Sequence, residues 1–332
     1  MKLKNPLFYI LALLTTLPLA GNVARAATIQ VLQIIDYPGV GNSTMPQKVS
    51  DQSVIINTLI KPDGTVQGFL YKPRIGRYSD RAYSAPEDTG NYTAGRGINN
   101  LRHLVGEYQK GSDGTFHGYF FKKPDFFNID VPNAVNTIPL GINNKGDRVG
   151  ALTLTDGTRP AYISLAGKIT TFTVPGATAT FAYQLNTTND VIGYYCDAAG
   201  VPHGYTRDPN GNLAFPINAP GSTGTILFGN NDLNWGVGRY TDASGATHGL
   251  FYLTPNDIQT YDYPGSTFTS LNGINKDGYV CGYYLDANGI AHGIWAKVNV
   301  SKTSNPNTAM PVVPVKPAHP LSELFNSGMP SL

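Results

Sequence analysis

Four histidines recur at one point of a repeating pattern, each followed by glycine: His117, His203, His248 and His292. Imidazole is a common ligand of transition metals, so a recurring histidine first suggests a metal site. A metal needs ligands that converge on one point, whereas one histidine per repeat is spread through the fold. Two repeats also carry Gln67 and Pro160 at this position. We therefore predict structural histidines that hydrogen-bond a turn backbone or a neighbouring repeat, and neither a metal nor a cofactor.

Catalytic carboxylates are the second candidate chemistry. The chain has only three glutamates, Glu87, Glu107 and Glu323. A glycosidase needs two carboxyl groups facing each other across the scissile bond. Most aspartates precede glycine in short turns, where an Asp side chain bonds the backbone ahead of it. The sequence contains no His-Glu-x-x-His and no Gly-x-Ser-x-Gly motif. Glu107 is the acid that turn formation explains least, and enzymatic activity is the less favoured hypothesis.

The segments that position these residues repeat about every 44 residues. The repeat units start at Lys48, Gly97, Gly141, Gln184, Gly229 and Gly273. A fixed period of this length is typical of modular arrays. The last unit has short strands over Phe268–Asn275, Tyr279–Leu285 and Ile290–Val298, and the strand before it covers Ile258–Tyr263. Gly, Asn, Asp or Pro stands at each break, so a unit is predicted to be a four-stranded antiparallel meander.

Six such units predict an all-β, six-bladed β-propeller, because radial packing covers both faces of each sheet. The two ends of the repeat region fit together. Ile29–Asp36 resembles a fourth strand that no other strands precede, and the sixth unit ends after its third strand at Val298. We therefore expect the N-terminal strand to complete the last blade and close the ring.

One position varies in chemistry where its neighbours do not. The eleventh residue of the unit follows a glycine in five of six units, and it is Thr58, Glu107, Ala151, Tyr194, Arg239 or Tyr283. A position that differs between equivalent blades is typical of a channel or rim where sites are built. The alternative is a solvated strand position that tolerates any residue. We take Glu107, Tyr194, Arg239 and Tyr283 as candidate binding residues.

The ends of the chain differ from the repeats. Residues 1–26 have a basic start, an apolar core and Ala24-Arg25-Ala26, which together predict a cleaved signal peptide and a secreted or periplasmic protein. Removing it leaves 21 basic against 22 acidic residues in the mature chain. This balance gives no electrostatic basis for binding nucleic acid, and no later segment is long enough for membrane insertion. Residues 27–298 form the predicted propeller, and 299–332 form a Pro-rich flexible tail.

The unit quoted most fully by Gly273–Gly293 contains Gly-Ile-Asn, then Val-x-Gly-Tyr-Tyr, then Asp-x-x-Gly and His-Gly. It resembles the bacterial extracellular repeats called the HAF family over roughly residues 28–298. This chain has His-Gly where the family name implies His-Ala-Phe. The resemblance implies a secreted repeat protein with a propeller-like fold, and it implies no catalytic residues.

These observations favour a binding or interaction module for an extracellular glycan or protein, which uses one end of the ring. That prediction follows from fold and compartment. One alternative is a polysaccharide hydrolase or lyase that uses Glu107. A second alternative is a structural or adhesive repeat protein without a small-molecule site.

Overall fold

The computed structural model describes residues 25–78, 82–111, 114–254 and 257–302. Over these residues the chain forms 24 β-strands in six four-stranded antiparallel sheets, with one short 3-10 helix at Pro73–Ile75. The predicted six-bladed β-propeller is confirmed. The predicted signal peptide, apart from its last two residues, and the tail beyond Lys302 lie outside the described residues. No helix in the described ranges is long and apolar enough to span a membrane.

The blades are numbered 1 to 6 in the chain order of their first strands. Each blade runs from an inner first strand to an outer fourth strand. The first strands are β2 (Ser43–Val49), β6 (Thr93–Ile98), β10 (Ala134–Ile142), β14 (Ala179–Leu185), β18 (Ser222–Asn230) and β22 (Thr269–Ile274). The second strands are β3 (Ile55–Ile60), β7 (Leu104–Gln109), β11 (Arg148–Leu154), β15 (Val191–Cys196), β19 (Gly236–Asp242) and β23 (Tyr279–Leu285). The third strands are β4 (Val66–Lys72), β8 (Phe116–Lys122), β12 (Ala161–Leu165), β16 (Pro202–Arg207), β20 (Thr247–Thr254) and β24 (Ala291–Lys302). The fourth strands are β5 (Arg77–Tyr78), β9 (Asp125–Asn128), β13 (Lys168–Phe172), β17 (Leu213–Ile217), β21 (Asp257–Tyr261) and β1 (Arg25–Ile35).

The N-terminal strand closes the ring, as predicted. β1 pairs with β24, with Ile29 opposite Val298 and Ile35 opposite Gly293, so the sixth blade has the order β1-β24-β23-β22. β24 continues to Lys302, four residues past the predicted end of the third strand. Each first strand contacts the first strand of the next blade, including β22 with β2. No blade is therefore left with an unpacked inner edge.

In five blades the glycine before the eleventh position lies beside a bulge of the inner strand. A side chain at Gly106 would place its Cβ 2.0 Å from the Ala94 carbonyl oxygen, and Gly193 would meet the Phe181 carbonyl oxygen at 2.0 Å. The register of the first strand shifts beside these glycines in both blades. The bulge turns a carbonyl toward the second strand and leaves no room for a side chain at these two glycines, whereas the first repeat unit has the same register shift with Asn57 opposite Pro46.

A buried threonine in every inner strand fixes the chain that enters the blade. The six residues are Thr44, Thr93, Thr137, Thr180, Thr225 and Thr269. Each hydroxyl accepts a hydrogen bond of 2.9 to 3.1 Å from a backbone N–H six to eight residues earlier. The sequence analysis did not identify this position, although its identity in all six units is a visible signal.

The repeated Gly-Ile-Asn phrase forms an asparagine ring between blades. Its members are Asn99, Asn143, Asn186, Asn231 and Asn275, and each side-chain amide donates to the carbonyl oxygen of the equivalent residue in the next blade, with Asn275 closing on Ser50. The sixth position of the unit has φ between 58° and 86° in all six blades, which confirms the predicted left-handed turn. The ring surrounds a cavity of about 60 Å³ at one end of the axis.

Candidate functional site

The variable eleventh position lies in the inner layer of the propeller. Glu107 and Tyr283 are 1% and 2% exposed, while Tyr194 and Arg239 are half-buried. Each stands opposite a residue of its own inner strand, for example Tyr194 opposite Phe181 and Tyr283 opposite Ser270. Cross-strand partners share a face of the sheet, so these side chains pack with the inner strands near the axis. The position is therefore not a solvated surface position.

The candidate residues belong to a larger group that we call the axial cluster. Its cations are Lys48, Arg96, Arg159 and Arg239, its acid is Glu107, and its rings are Tyr92, Phe181, Tyr183, Tyr194, Phe228, Phe268 and Tyr283. The structure brings Arg239 and Tyr283 together, with 3.4 Å between Nη1 and the phenol oxygen. Glu107 and Tyr194 belong to the same cluster but contact other members of it.

Aromatic rings and guanidinium groups alternate through the cluster. The Arg239 guanidinium lies 5.3 Å from the centroid of the Phe228 ring and 5.4 Å from that of Phe268. Phe228 contacts Tyr183 at 4.8 Å between centroids, and Tyr183 contacts Tyr194 at 5.7 Å. Tyr194 stacks on Phe181 at 4.5 Å, and Phe181 lies under Arg159 at 5.7 Å. These contacts join blades 3 to 6 in one cation–aromatic layer.

The cluster also crosses the axis. Lys48 Nζ, from blade 1, lies 5.6 Å from the ring centroid of Tyr183, from the opposite blade 4, and donates to the Asn272 carbonyl oxygen at 3.1 Å. Burial is the main reason that the pKa of Lys48 falls to about 7.

Glu107 is held in a buried ion pair. Arg96 Nε lies 2.8 and 3.0 Å from its two carboxylate oxygens, and Nη2 also donates to it. Arg96 Nη2 donates further to the Tyr92 hydroxyl at 3.2 Å. A carboxylate that is 1% exposed and bound on both oxygens by a guanidinium is poorly placed to protonate a leaving group.

One polar group of the cluster, Arg159 Nε, is buried without a hydrogen-bond partner among the described residues. Burial raises the pKa of Tyr194 well above its ordinary value, against the opposing charges of Arg239 and Arg159. The Tyr194 phenol therefore lies within electrostatic range of both guanidinium groups.

The recurring histidines lie away from this cluster, in a network within each blade. His248 lies 3.0 Å from Asp262 and 3.2 Å from Asp242, and it stacks on Tyr240 at 4.8 Å between centroids. His292 lies 2.9 Å from Asp36. His117 and His203 make the equivalent contacts with Asp130 and with Asn218 and Asp197. The expected bonds to a turn backbone or a neighbouring blade are thus replaced by carboxylates and an amide of the same blade.

The structure places most of the turn aspartates as expected. In the second turn of five blades the Asp carboxylate accepts a backbone N–H two residues later, at 2.8 to 2.9 Å, in Asp63, Asp156, Asp197, Asp242 and Asp286. Asp113, at the corresponding turn of the second blade, lies outside the described residues. Among the residues described, no three His, Cys, Asp or Glu side chains are grouped to hold a metal ion.

Sequence reasoning missed Lys48, Arg159 and the inner-strand rings. Lys48 is the first residue of its unit, and Arg159 precedes the histidine position of its own unit. A usable signal exists one residue before the unit begins, where the blades carry Gln47, Arg96, Leu140, Tyr183, Phe228 and Asn272. This position varies as widely as the eleventh, and the structure places both in the same layer.

Comparison with known proteins supports the fold. No protein-family model matches the chain, and no curated protein matches it. Among solved structures, the chain is similar to AofleA from Arthrobotrys oligospora, with 10% identity over 85% of this chain and 91% of that one, and a TM-score of 0.53. A six-bladed β-propeller lectin from Aleuria aurantia, described with a fucose recognition mode, is 9% identical over 80% and 97%, with a TM-score of 0.49.

TolB from Acinetobacter baumannii is 9% identical over 77% of this chain, with a TM-score of 0.47. The chain spans 56% of the length of that protein. At these identities the similarity shows a β-propeller fold alone.

Proposed function

We propose that this protein is an extracytoplasmic binding module of the HAF type, and that it binds a glycan through the axial cluster. Export is supported by the sequence of residues 1–26, and the HAF-like repeat supports the same compartment. A β-propeller arranges its blades around a central channel, and the axial cluster lies close to that axis.

One observation carries the choice of site. The half-buried Arg239 guanidinium is stacked between two rings, and the half-buried Tyr194 ring lies in the same layer. Sugar rings stack on aromatic faces through their C–H groups, while a planar guanidinium donates to several oxygens at once. Ligand sites are generally apolar with a few polar groups in fixed positions, and the axial cluster has this composition.

The surroundings of Glu107 do not favour the hydrolase or lyase alternative. Its best candidate, Glu107, is ion-paired with Arg96 and nearly inaccessible. We therefore argue for binding without turnover.

The test is a screen of the mature full-length protein against glycans and polysaccharides, with detection of new reducing ends and unsaturated products on every positive. Arg239→Gln should weaken binding about tenfold or more. The matched control is Arg207→Gln. Arg207 is on the third strand of blade 4, and its guanidinium lies 5.0 Å from the centroid of the Phe172 ring, outside the axial cluster. This substitution should leave the affinity unchanged.

Each other outcome counts against the proposal. Product formation would favour the hydrolase or lyase and make Glu107→Gln the next variant. Binding that is insensitive to Arg239→Gln would place the site elsewhere on the ring. Silence toward every glycan would favour a protein ligand or a structural role.

A further inference from the structure

The charges of the axial cluster differ in how they are compensated. Arg96 has the Glu107 carboxylate as its partner. Arg159 forms no ion pair with any of the described residues, and its Nε is buried without a hydrogen bond. Lys48 donates to a backbone carbonyl oxygen, which does not neutralise a charge. The cluster thus contains a guanidinium whose charge and Nε–H donor are both unmatched among the described residues.

The surroundings of Arg159 keep that charge from being fully solvated. Its guanidinium lies over the Phe181 ring, and partial burial lowers its pKa from the ordinary value. Leaving a buried donor or charge without a partner is costly, and a ligand that supplies an acceptor recovers this cost.

Further donors lie along the same layer. Tyr194 stacks on Phe181, and Tyr183 contacts Tyr194 at 5.7 Å between centroids. Tyr183 is 7% exposed. Both hydroxyls can donate hydrogen bonds. Among the described residues the cluster contains one carboxylate, Glu107, and Arg96 already binds it.

We infer that the ligand of the axial cluster is anionic, a glycan that carries carboxylate or sulfate groups, and that Arg159 binds the anionic group. This inference rests on the proposed function, because it assigns a charge to the ligand of the same site. A neutral glycan would leave the partly desolvated Arg159 charge unpaired, whereas a carboxylate or sulfate would supply its counter-charge. The tyrosine hydroxyls supply donors to the remaining oxygens.

The test compares ligands that differ only in charge. Calorimetric titrations would use oligogalacturonate against its methyl ester, and a sulfated oligosaccharide against its desulfated form, which separates the two sources of charge. The charged form of at least one pair should bind about tenfold or more tightly, and its affinity should fall as salt rises. Arg159→Gln should abolish the preference, Arg159→Lys should retain part of it, and Arg207→Gln should leave it unchanged.

Inorganic sulfate provides an arm that does not depend on glycan binding. Sulfate stabilises most proteins, so its effect must be compared between two proteins. The measured quantity is the rise in Tm caused by sulfate, relative to chloride at equal ionic strength, in the wild type minus the same rise in Arg159→Gln. An Arg159-dependent rise without any glycan binding would reject the proposed function and support the anion site. Equal affinity for charged and neutral glycans would overturn this inference and leave glycan binding intact. Absence of both responses would overturn it as well.

Discussion

Lys48 and Tyr183 contact each other across the axis of the propeller, although they belong to opposite blades. The lysine Nζ lies 5.6 Å from the centroid of the tyrosine ring. Side chains of opposite blades therefore meet at the axis at this level. The contact also places a lysine that is 5% exposed in a layer rich in aromatic rings and guanidinium groups.

Stability should depend on pH through Lys48. Its pKa is about 7 in the folded protein and 10.5 in the unfolded chain, so between these values unfolding takes up a proton and stability rises with pH. Lys48→Met removes this contribution. Above pH 7, the free energy of unfolding of the wild type should rise relative to that of the variant by up to about 1.4 kcal/mol per pH unit. Urea unfolding of both proteins from pH 6 to 9.5 measures this, and parallel profiles would show that Lys48 is not buried as described.

Glu107→Gln should destabilise the protein by about 3–5 kcal/mol, because it leaves the buried Arg96 charge without its carboxylate. The matched control is Glu87→Gln. Glu87 pairs with Lys110, but both side chains are about half exposed and the pair is screened by water, so the loss of stability there should be much smaller. Equal losses of unfolding free energy in chemical denaturation would contradict the claim that burial makes the Arg96–Glu107 pair the more important of the two. The double variant Arg96→Met with Glu107→Leu should recover most of the loss.

The asparagine ring should contribute strongly to stability. Asn143 is 4% exposed, accepts the N–H groups of Lys145 and Asp147, and donates to the Asn186 carbonyl oxygen. Asn143→Ala should cost about 2 kcal/mol or more. Asn144, the exposed next residue, accepts one N–H from Asn100, and Asn144→Ala should cost less than about 1 kcal/mol. If the two denaturation curves coincide, the ring does not stabilise the fold.

Closure by the N-terminal strand predicts a difference between two residues of β1. Ile35 is fully buried and packs in a core cluster with Phe69 and Trp295, whereas Leu32 is 42% exposed. Ile35→Ala should cost about 2–5 kcal/mol, and Leu32→Ala should stay within about 0.5 kcal/mol. Free energies of unfolding from denaturant titration measure both. A small effect of Ile35→Ala would mean that β1 is not an integral part of the sixth blade.

The architecture was predictable from the sequence because it depends on local and repeated features. The turn residues and the strand lengths predict six blades. The extra fourth strand at the N-terminus and the missing fourth strand of the last unit predict how the ring closes. Lys48 meeting Tyr183 was not predictable, because the contact joins opposite blades and no repeat pattern encodes distances across the axis. Arg96, the partner of Glu107, was missed for a related reason. It is the residue immediately before Gly97, where the unit begins, so a comparison of residues within that unit includes Glu107 but not Arg96.

The most direct test of binding at the axis is the affinity of the best glycan from the screen for two variants at the eleventh position. Tyr194→Ala removes a half-buried ring of the axial cluster, whereas Thr58→Ala changes the equivalent residue of blade 1, outside the cation–aromatic layer. Both variants should remain folded by thermal denaturation. Titration calorimetry should show affinity about tenfold or more weaker for Tyr194→Ala and within about twofold of wild type for Thr58→Ala. Wild-type affinity in Tyr194→Ala would contradict a ligand site at the axis.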